Sequence, residues 1–98
     1  MLTAIKIGSN IKKIRLVLKI SLMTVSHITE IEYSHLYKIE NGKVNTSVMN
    51  LMKISSALNI PINIFFLKEI NMNKTELEKY NKEMNLYFDY NKDLTYFI

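Results

Sequence analysis

The sequence contains no cysteine, which excludes disulfides and thiolate zinc sites. Its two histidines, His27 and His35, have no second pair of ligands at metal-binding spacing, so we expect ordinary histidines and no metal site. No stretch approaches the roughly 18 apolar residues that a membrane span requires, and the N-terminal segment lacks the uninterrupted apolar core of a signal peptide. We therefore expect a cytoplasmic protein that makes no contact with a membrane.

Glycine and proline are also scarce, with two glycines and one proline in the chain. A fold rich in sheet needs turn residues at each hairpin, so this scarcity predicts an all-α protein with short connections. A chain of 98 residues with 48% hydrophobic residues can bury one modest helical core. Any second module is therefore expected to be an appendage of the first.

Positive charge is concentrated in one part of the chain. Residues 1–66 carry eight Lys and Arg against three Glu, a net charge of +5, whereas residues 67–98 carry five against six acidic residues, a net charge of −1. A basic head with a near-neutral tail fits a polyanion-binding domain that is joined to a segment of another function. A charge of +5 by itself also suits proteins that bind no polyanion.

Hydrophobic periodicity predicts three helices in the first half of the chain. The first covers about residues 6–18, and its apolar stripe repeats at intervals of three and four. The second is capped by Ser21 and runs to about residue 29, with Val25 and Ile28 pointing inward. The third covers residues 33–41.

The third helix has two distinct faces and ends at a glycine. Leu36 and Ile39 face the core, and Gly42 is predicted to close the helix in the left-handed conformation. The opposite face carries polar and aromatic residues, namely Tyr33, Ser34, Tyr37 and Lys38.

A fourth and a fifth helix follow. Ser47 or Thr46 is expected to cap the fourth, and Asn59 is expected to end it in the left-handed conformation. The inward residues of the fourth helix are predicted to be Val48, Leu51, Ile54 and Leu58. Pro61 suits the first turn of a short fifth helix over residues 61–66.

The tail has its own helical pattern. Asn73 followed by Glu76 predicts a capping box, and a helix over 74–98 would be roughly 37 Å long. Its apolar stripe has the three-four spacing of a heptad seam and consists of Leu77, Tyr80, Met84, Tyr87, Leu94 and Ile98, with the polar Asn91 among them. We expect this seam to dimerise two chains. One alternative is that the stripe folds back on its own domain. Aromatic residues also lie off the seam, and they favour either a broader interface than a coiled-coil dimer needs or a helical hairpin that is broken near residues 89–91.

Short sequence pieces scattered over sixty positions carry a family resemblance. They are Ile7, Gly8, Ile11 and Arg15; Ile20 and Ser21; Leu36, Ile39, Glu40, Asn41 and Gly42; and Leu51, Lys53, Ile54, Ala57 and Leu58. Their joint order and spacing resembles the XRE-like helix-turn-helix family, which includes Cro and the phage lambda repressor. The resemblance implies a five-helix lambda-repressor-like DNA-binding domain over residues 1–68, followed by a helical dimerisation or interaction segment over 69–98.

The resemblance also implies a site on double-stranded DNA. The third helix would enter the major groove, where base edges differ in their donor and acceptor patterns. An ion pair between Arg15 and Glu40 would fix the angle of the third helix to the body of the domain. The alternative is an exposed ion pair that contributes almost nothing to stability. The implied base-reading residues are Tyr33, Ser34 and Lys38, and the implied backbone contacts are Tyr37, Asn41, Lys43 and the helix start at Ser21. For the two tyrosines the alternative is a solvated or packing role.

Three residues depart from the family pattern. Leu22 stands where a phosphate-binding Gln is usual, Glu30 replaces a Gly in the turn before the third helix, and Glu32 replaces a Ser or Thr cap. Together these three residues are expected to weaken the electrostatic part of DNA binding, which usually supplies most non-specific affinity.

Two functions of different classes follow. The first is a homodimeric repressor or dual regulator that reads an inverted repeat with half-sites roughly 34 Å apart. The second is an antagonist or antitoxin that binds a related regulator or a toxin through its C-terminal helix. We expect no enzyme and no cofactor, because the sequence has no glycine-rich phosphate loop and no catalytic set at readable spacing.

Overall fold

The computed structural model of the protein describes residues 3–87. The elements along the chain are α1 (Ala4–Val17), α2 (Leu22–Thr29), α3 (Tyr33–Glu40), α4 (Val48–Leu58), a 3-10 helix (Ile62–Phe66) and α5 (Lys74–Tyr87). Within residues 3–87 there is no strand, and the prediction of an all-α fold is confirmed. The segment predicted as a fifth helix forms the 3-10 helix, which Pro61 precedes as its N-cap.

Side-chain hydroxyls define where three of the helices begin. Thr3, Ser21 and Ser47 each accept a hydrogen bond from the backbone N–H three residues further along, at 3.0–3.2 Å. A hydroxyl in this position satisfies one of the N–H groups that a first turn leaves without a partner. The sequence prediction of caps at Ser21 and Ser47 is therefore confirmed.

Left-handed residues lie at the ends of α1, α2, α3 and α4, and three of them share one hydrogen-bond pattern. Lys19, Gly42 and Asn59 have φ of 58°, 67° and 55°. The N–H of the residue after each one donates to a carbonyl five positions back, at 2.9–3.1 Å, which is the Schellman arrangement. Gly42 and Asn59 were the predicted terminators, whereas nothing in the sequence singles out Lys19.

The core lies between α1, α2, α3, α4 and the 3-10 helix, and its centre is fully buried. Ile14, Ile64 and Phe65 have no exposed surface. Asn10 is buried beside them, and its Nδ2 donates to the carbonyls of Phe65 and Leu67 at 2.9 and 2.8 Å. This side chain ties α1 to the end of the 3-10 helix.

Two of the predicted core positions are wrong. Ile28 is 58% exposed, because the inward stripe of α2 consists of Leu22, Val25 and Thr29. Val48 is also exposed. It is the first residue of α4, and that first turn extends past the edge of the core before Leu51 enters it.

The start of α5 packs on the rest of the chain. Asn73 and Glu76 form the predicted capping box, with the N–H of Glu76 donating to Asn73 Oδ1 at 2.9 Å and the N–H of Asn73 donating to Glu76 Oε1 at 3.3 Å. Leu77 is buried in the common core. Tyr80 packs against that core, and its hydroxyl accepts a hydrogen bond from Asn63 Nδ2 at 2.8 Å.

The expected dimer seam is therefore corrected at its first two positions. Leu77 and Tyr80 are used within their own chain, because the stripe folds back on its own domain at this end. The side chains of Met84 and Tyr87, and residues Leu94 and Ile98 of the predicted seam, lie outside what the structure describes. The division of the chain at residue 68 stays a prediction, although the core continues past it.

Candidate nucleic-acid interface

The outward side of α3 gathers four of the predicted DNA-binding residues. Tyr33, Ser34, Tyr37 and Lys38 are all exposed, and we call them the α3 face. Tyr33 is 46% exposed and Tyr37 is 49% exposed, so neither tyrosine is a packing residue of the core. Leu36 and Ile39 on the other side of α3 are buried as predicted. The described part of the chain leaves the α3 face uncovered.

The C-terminal end of α3 adds two further groups beside this face. Asn41 Nδ2 donates to the carbonyl of Tyr37 at 2.8 Å, which holds the amide against the end of the helix. Lys43 Nζ lies 5.8 Å from the centroid of the Tyr37 ring, within the range of a cation–π contact. A cation beside an exposed ring at the border of the α3 face suits a sugar-phosphate backbone better than a base edge.

The N-terminus of α2 offers backbone donors. Ser21 Oγ accepts from the N–H of Thr24 at 3.0 Å, so the N–H groups of Leu22 and Met23 are the ones that lack a partner within the helix. Backbone N–H groups at a helix start bind phosphate oxygens. The side chain of Leu22 is buried and contributes nothing to such a contact.

A buried ion pair joins α1 to the last residue of α3. Arg15 Nε donates to Glu40 Oε2 at 2.7 Å, and a second guanidinium nitrogen donates to Oε1 at 3.0 Å. The two side chains are 11% and 5% exposed, so this is the buried pair that the resemblance implies and not the exposed alternative. The hydrogen bonds to Glu40 raise the pKa of Arg15 above its ordinary value, although burial opposes them. Arg15 also donates to the carbonyl of Ile20 at 3.0 Å, which ties the α1–α2 connection to the same group.

Gly8 allows α1 to touch the end of α3 at backbone distance. A Cβ at this position would collide with the carbonyl oxygen of Ile39 and lie 2.9 Å from that of Glu40. Glycine is therefore the residue that fits here, because any side chain would push the two helices apart. The contact and the Arg15–Glu40 pair fix the same end of α3.

The turn between α2 and α3 keeps its left-handed residue despite the loss of glycine. Glu30 has φ of 61° and ψ of 15°. Ser26 Oγ donates to the carbonyl of Ile31 at 2.6 Å, and Thr29 Oγ1 donates to the carbonyl of Val25 at 2.7 Å while it accepts from the N–H of Ile31 at 3.2 Å. These hydrogen bonds hold the turn, although a side chain in this conformation costs about 1–2 kcal/mol.

Glu32 sits at the N-cap of α3 without capping it. Its side chain makes no hydrogen bond to the first turn of that helix. With Glu30, it places two exposed carboxylates at the entrance to α3, next to His27 in one surface depression. Carboxylates repel phosphate anions, so the weakening of DNA binding that the sequence predicts at these two residues stays a prediction.

We predict that Glu30→Gly raises the free energy of unfolding by about 0.5–1 kcal/mol, because glycine adopts the left-handed conformation without strain but loses more chain entropy. Equilibrium urea denaturation measures this change. Glu30→Gln is the matched control, since it removes the charge and keeps the strain, and it should leave stability within about 0.5 kcal/mol. If both variants raised the free energy of unfolding equally, charge repulsion and not backbone strain would be what destabilises the protein at Glu30.

Among residues 3–87 no group of three His, Cys, Asp or Glu side chains is arranged to hold a metal ion. No helix in that part of the chain combines the length and apolar character needed to cross a bilayer.

Comparison with known proteins gives one family and a solved structure. The helix-turn-helix family model HTH_3 matches residues 11–65. A similar solved structure is the restriction-modification controller protein C.AhdI from Aeromonas hydrophila, which is 25% identical, with a TM-score of 0.62 over 64% of this chain and 96% of that chain. A search of curated proteins found no match.

Proposed function

Because the chain belongs to the helix-turn-helix family of the XRE and lambda-repressor type, we propose that it regulates transcription by reading a specific site in double-stranded DNA through α3. The observation that carries this proposal is the exposed α3 face on a helix whose far end is fixed by a buried ion pair. The similarity to a restriction-modification controller protein supports a regulatory role. The same proposal includes repression, an inverted-repeat operator, a homodimer and a cytoplasmic location. The proposed function is DNA binding without a catalytic step.

Each contacting group has a distinct role in this proposal. Lys38 donates to O6 or N7 of a guanine, Ser34 donates or accepts at a base edge, and Tyr33 places its ring against a thymine methyl. Asn41 and Lys43 contact phosphates at the end of α3. The N–H groups that follow Ser21 hold a phosphate on the other side of the groove.

The acidic residues before α3 affect the affinity of the chain for DNA of any sequence. Glu30 and Glu32 lower the attraction for any DNA, and Leu22 removes a donor to phosphate. Non-specific affinity depends mostly on such backbone electrostatics. We therefore expect weak binding to random DNA, so that contacts from the α3 face decide which site is occupied.

The experiment is selection of bound duplexes from a random library, followed by fluorescence-anisotropy titration of the selected site. We predict that Lys38→Ala weakens binding to that site by about 1–3 kcal/mol and removes the preference at one base pair in each half-site. Lys12→Ala is the matched control, because it removes the same charge from the exposed side of α1 and should leave the base preference unchanged. Affinity for the selected site should fall steeply with salt, and flat salt dependence at micromolar affinity would contradict DNA binding.

A second candidate function rests on the same three departures from the family pattern. In this candidate function, the chain has lost its DNA contacts through Leu22, Glu30 and Glu32, and it acts as an antagonist or antitoxin. It would bind a related regulator or a toxin through the C-terminal helix. Co-purification of such a protein, with no shift of any selected duplex, would favour this candidate.

A further inference from the structure

The turn between α2 and α3 is held by two hydroxyl groups that precede it in the chain. Ser26 and Thr29 both belong to α2, and both bind the same residue beyond the turn, Ile31. Thr29 Oγ1 accepts from the N–H of Ile31 at 3.2 Å, and Ser26 Oγ donates to the carbonyl of Ile31 at 2.6 Å. Both backbone polar groups of Ile31 are therefore bound by side chains of α2.

These hydrogen bonds lie at the edge of the core. Thr29 is 7% exposed and Ile31 is 8% exposed, and a buried polar group that loses its partner destabilises the fold. A hydroxyl within a helix commonly bonds back to the carbonyl four residues earlier, as Thr29 does to Val25. Ser26 reaches five residues forward across the turn instead. Its hydroxyl thus serves the connection to α3.

The backbone of the turn gives these two hydroxyls a specific task. Glu30, which lies between Thr29 and Ile31, has φ of 61°. Glycine adopts this left-handed conformation freely, whereas a residue with a side chain adopts it at a cost in free energy. Any other conformation of Glu30 would send the chain into α3 in a different direction. The hydroxyls of Ser26 and Thr29 therefore hold a direction that the local backbone does not favour.

The two ends of α3 are held by different groups. The buried ion pair and the close contact with α1 hold its C-terminal end. At the N-terminal end the side chain of Glu32 makes no capping hydrogen bond, and the chain enters α3 from Ile31. Tyr33 and Ser34 lie in the first turn of α3, whereas Lys38 lies in the last turn. The first turn is thus the part of the α3 face that follows directly from the two hydroxyls.

We propose that Ser26 and Thr29 are positioning residues for base recognition by α3. Because they hold the N–H and the carbonyl of Ile31, they fix where the first turn of α3 presents Tyr33 and Ser34 to the base edges. Groups that read a base edge must meet it at hydrogen-bond distance, so a displaced first turn loses its discrimination between bases. The last turn of α3 does not depend on these hydroxyls. This role rests on the function proposed above, because it requires that α3 reads DNA.

The test compares Ser26→Ala and Thr29→Val, which each remove a hydroxyl, with the wild type. Base preferences are measured by selection from a random library and by anisotropy titration, and Ser34→Ala and Lys38→Ala mark the base pairs that the first and last turns read. We expect each hydroxyl variant to lose about fivefold or more of the preference at the base pairs that the first turn reads. The preference read by Lys38, and the affinity for random duplexes, should stay within about twofold, because random duplexes are bound through their phosphates.

Matched variants separate the loss of a hydroxyl from a general disturbance. Thr29→Ser keeps the hydroxyl and should retain the base preferences, and Ser9→Ala removes a hydroxyl from α1 without touching the turn. In Thr29→Val, hydrogen exchange of the Ile31 amide should become about fivefold faster or more, which corresponds to one lost hydrogen bond. Circular dichroism verifies that the variants fold. If Thr29→Val does not fold, Ser26→Ala carries the test, because alanine is the residue most favoured within a helix.

Two outcomes would overturn the positioning role while α3 still reads DNA. One is an unchanged first-turn preference in Ser26→Ala. The other is an equal loss at every base pair, including the one that Lys38 reads, which would show that the hydroxyls only stabilise the domain. A wild-type chain that selects no duplex would contradict the proposed function, and the positioning role with it. A selective wild type with unchanged hydroxyl variants would contradict the positioning role alone.

Discussion

Arg15→Met should lower the free energy of unfolding by about 3–5 kcal/mol, because it leaves the Glu40 carboxylate buried without its partner. Glu40 Oε1 and Oε2 each accept a hydrogen bond from the guanidinium, at 3.0 and 2.7 Å, and methionine replaces neither. The carbonyl of Ile20 also loses a donor. Urea denaturation followed by circular dichroism measures the loss.

A double substitution distinguishes a stranded charge from lost packing. Arg15→Met combined with Glu40→Met removes both charges, and replacing both members of a buried pair by apolar groups is often nearly neutral. The double variant should therefore be more stable than Arg15→Met alone. A loss below about 1 kcal/mol for the single variant would contradict the account, since that is the value of an exposed pair.

Gly8→Ala should destabilise the protein by about 2 kcal/mol or more, because the new methyl group collides with backbone atoms that have no alternative rotamer. Helix propensity alone predicts the opposite sign, a gain of about 1 kcal/mol when glycine becomes alanine within a helix. The neighbouring carbonyl oxygens belong to Ile39 and Glu40, so α1 and α3 must separate. The sign of the measured change thus decides between local propensity and the contact.

Ser9→Ala is the matched control for Gly8→Ala. It lies next to Gly8 on α1 and leaves the backbone contact with α3 in place. Its stability should stay within about 0.5 kcal/mol of the wild type. A gain in stability for Gly8→Ala would show that the end of α3 does not rest on α1 at this point. The account of how the α3 face is held would then be wrong.

The helical elements could be predicted because their signals are local. Gly42 and Asn59 are residue types that adopt the left-handed conformation readily, and both hold it here. Lys19 and Glu30 adopt it as well, but neither residue type indicates it. The hydrogen bonds of Ser26 and Thr29 hold the turn at Glu30, and Arg15 donates to the carbonyl of Ile20 just after Lys19. A local sequence pattern reveals neither arrangement.

The direction of apolar side chains was harder to predict than the helices themselves. On the short α2, Val25 and Ile28 both fit an inward stripe. Of these two residues, Val25 is buried and Ile28 is exposed. Leu77 begins a regular heptad stripe. A stripe shows which side of a helix is apolar, but it does not show whether the same chain or another covers it, and here the same chain covers Leu77.

The residues of the candidate site could be predicted from the sequence only through the family resemblance. The Arg15–Glu40 pair is separated by 25 positions, and no local rule joins them. Asn10 was not recognised, because its carbonyl partners lie 55 and 57 positions away. A buried amide on an amphipathic helix gives no signal until the fold brings those partners to it.

The most direct test is an NMR titration of the ¹⁵N-labelled full chain with a duplex that contains one selected half-site. We predict that amide shifts concentrate on residues 33–38, with smaller changes at 22–23 and 41–43. Shifts confined to α5, with residues 33–38 unchanged, would contradict the claim that α3 reads DNA.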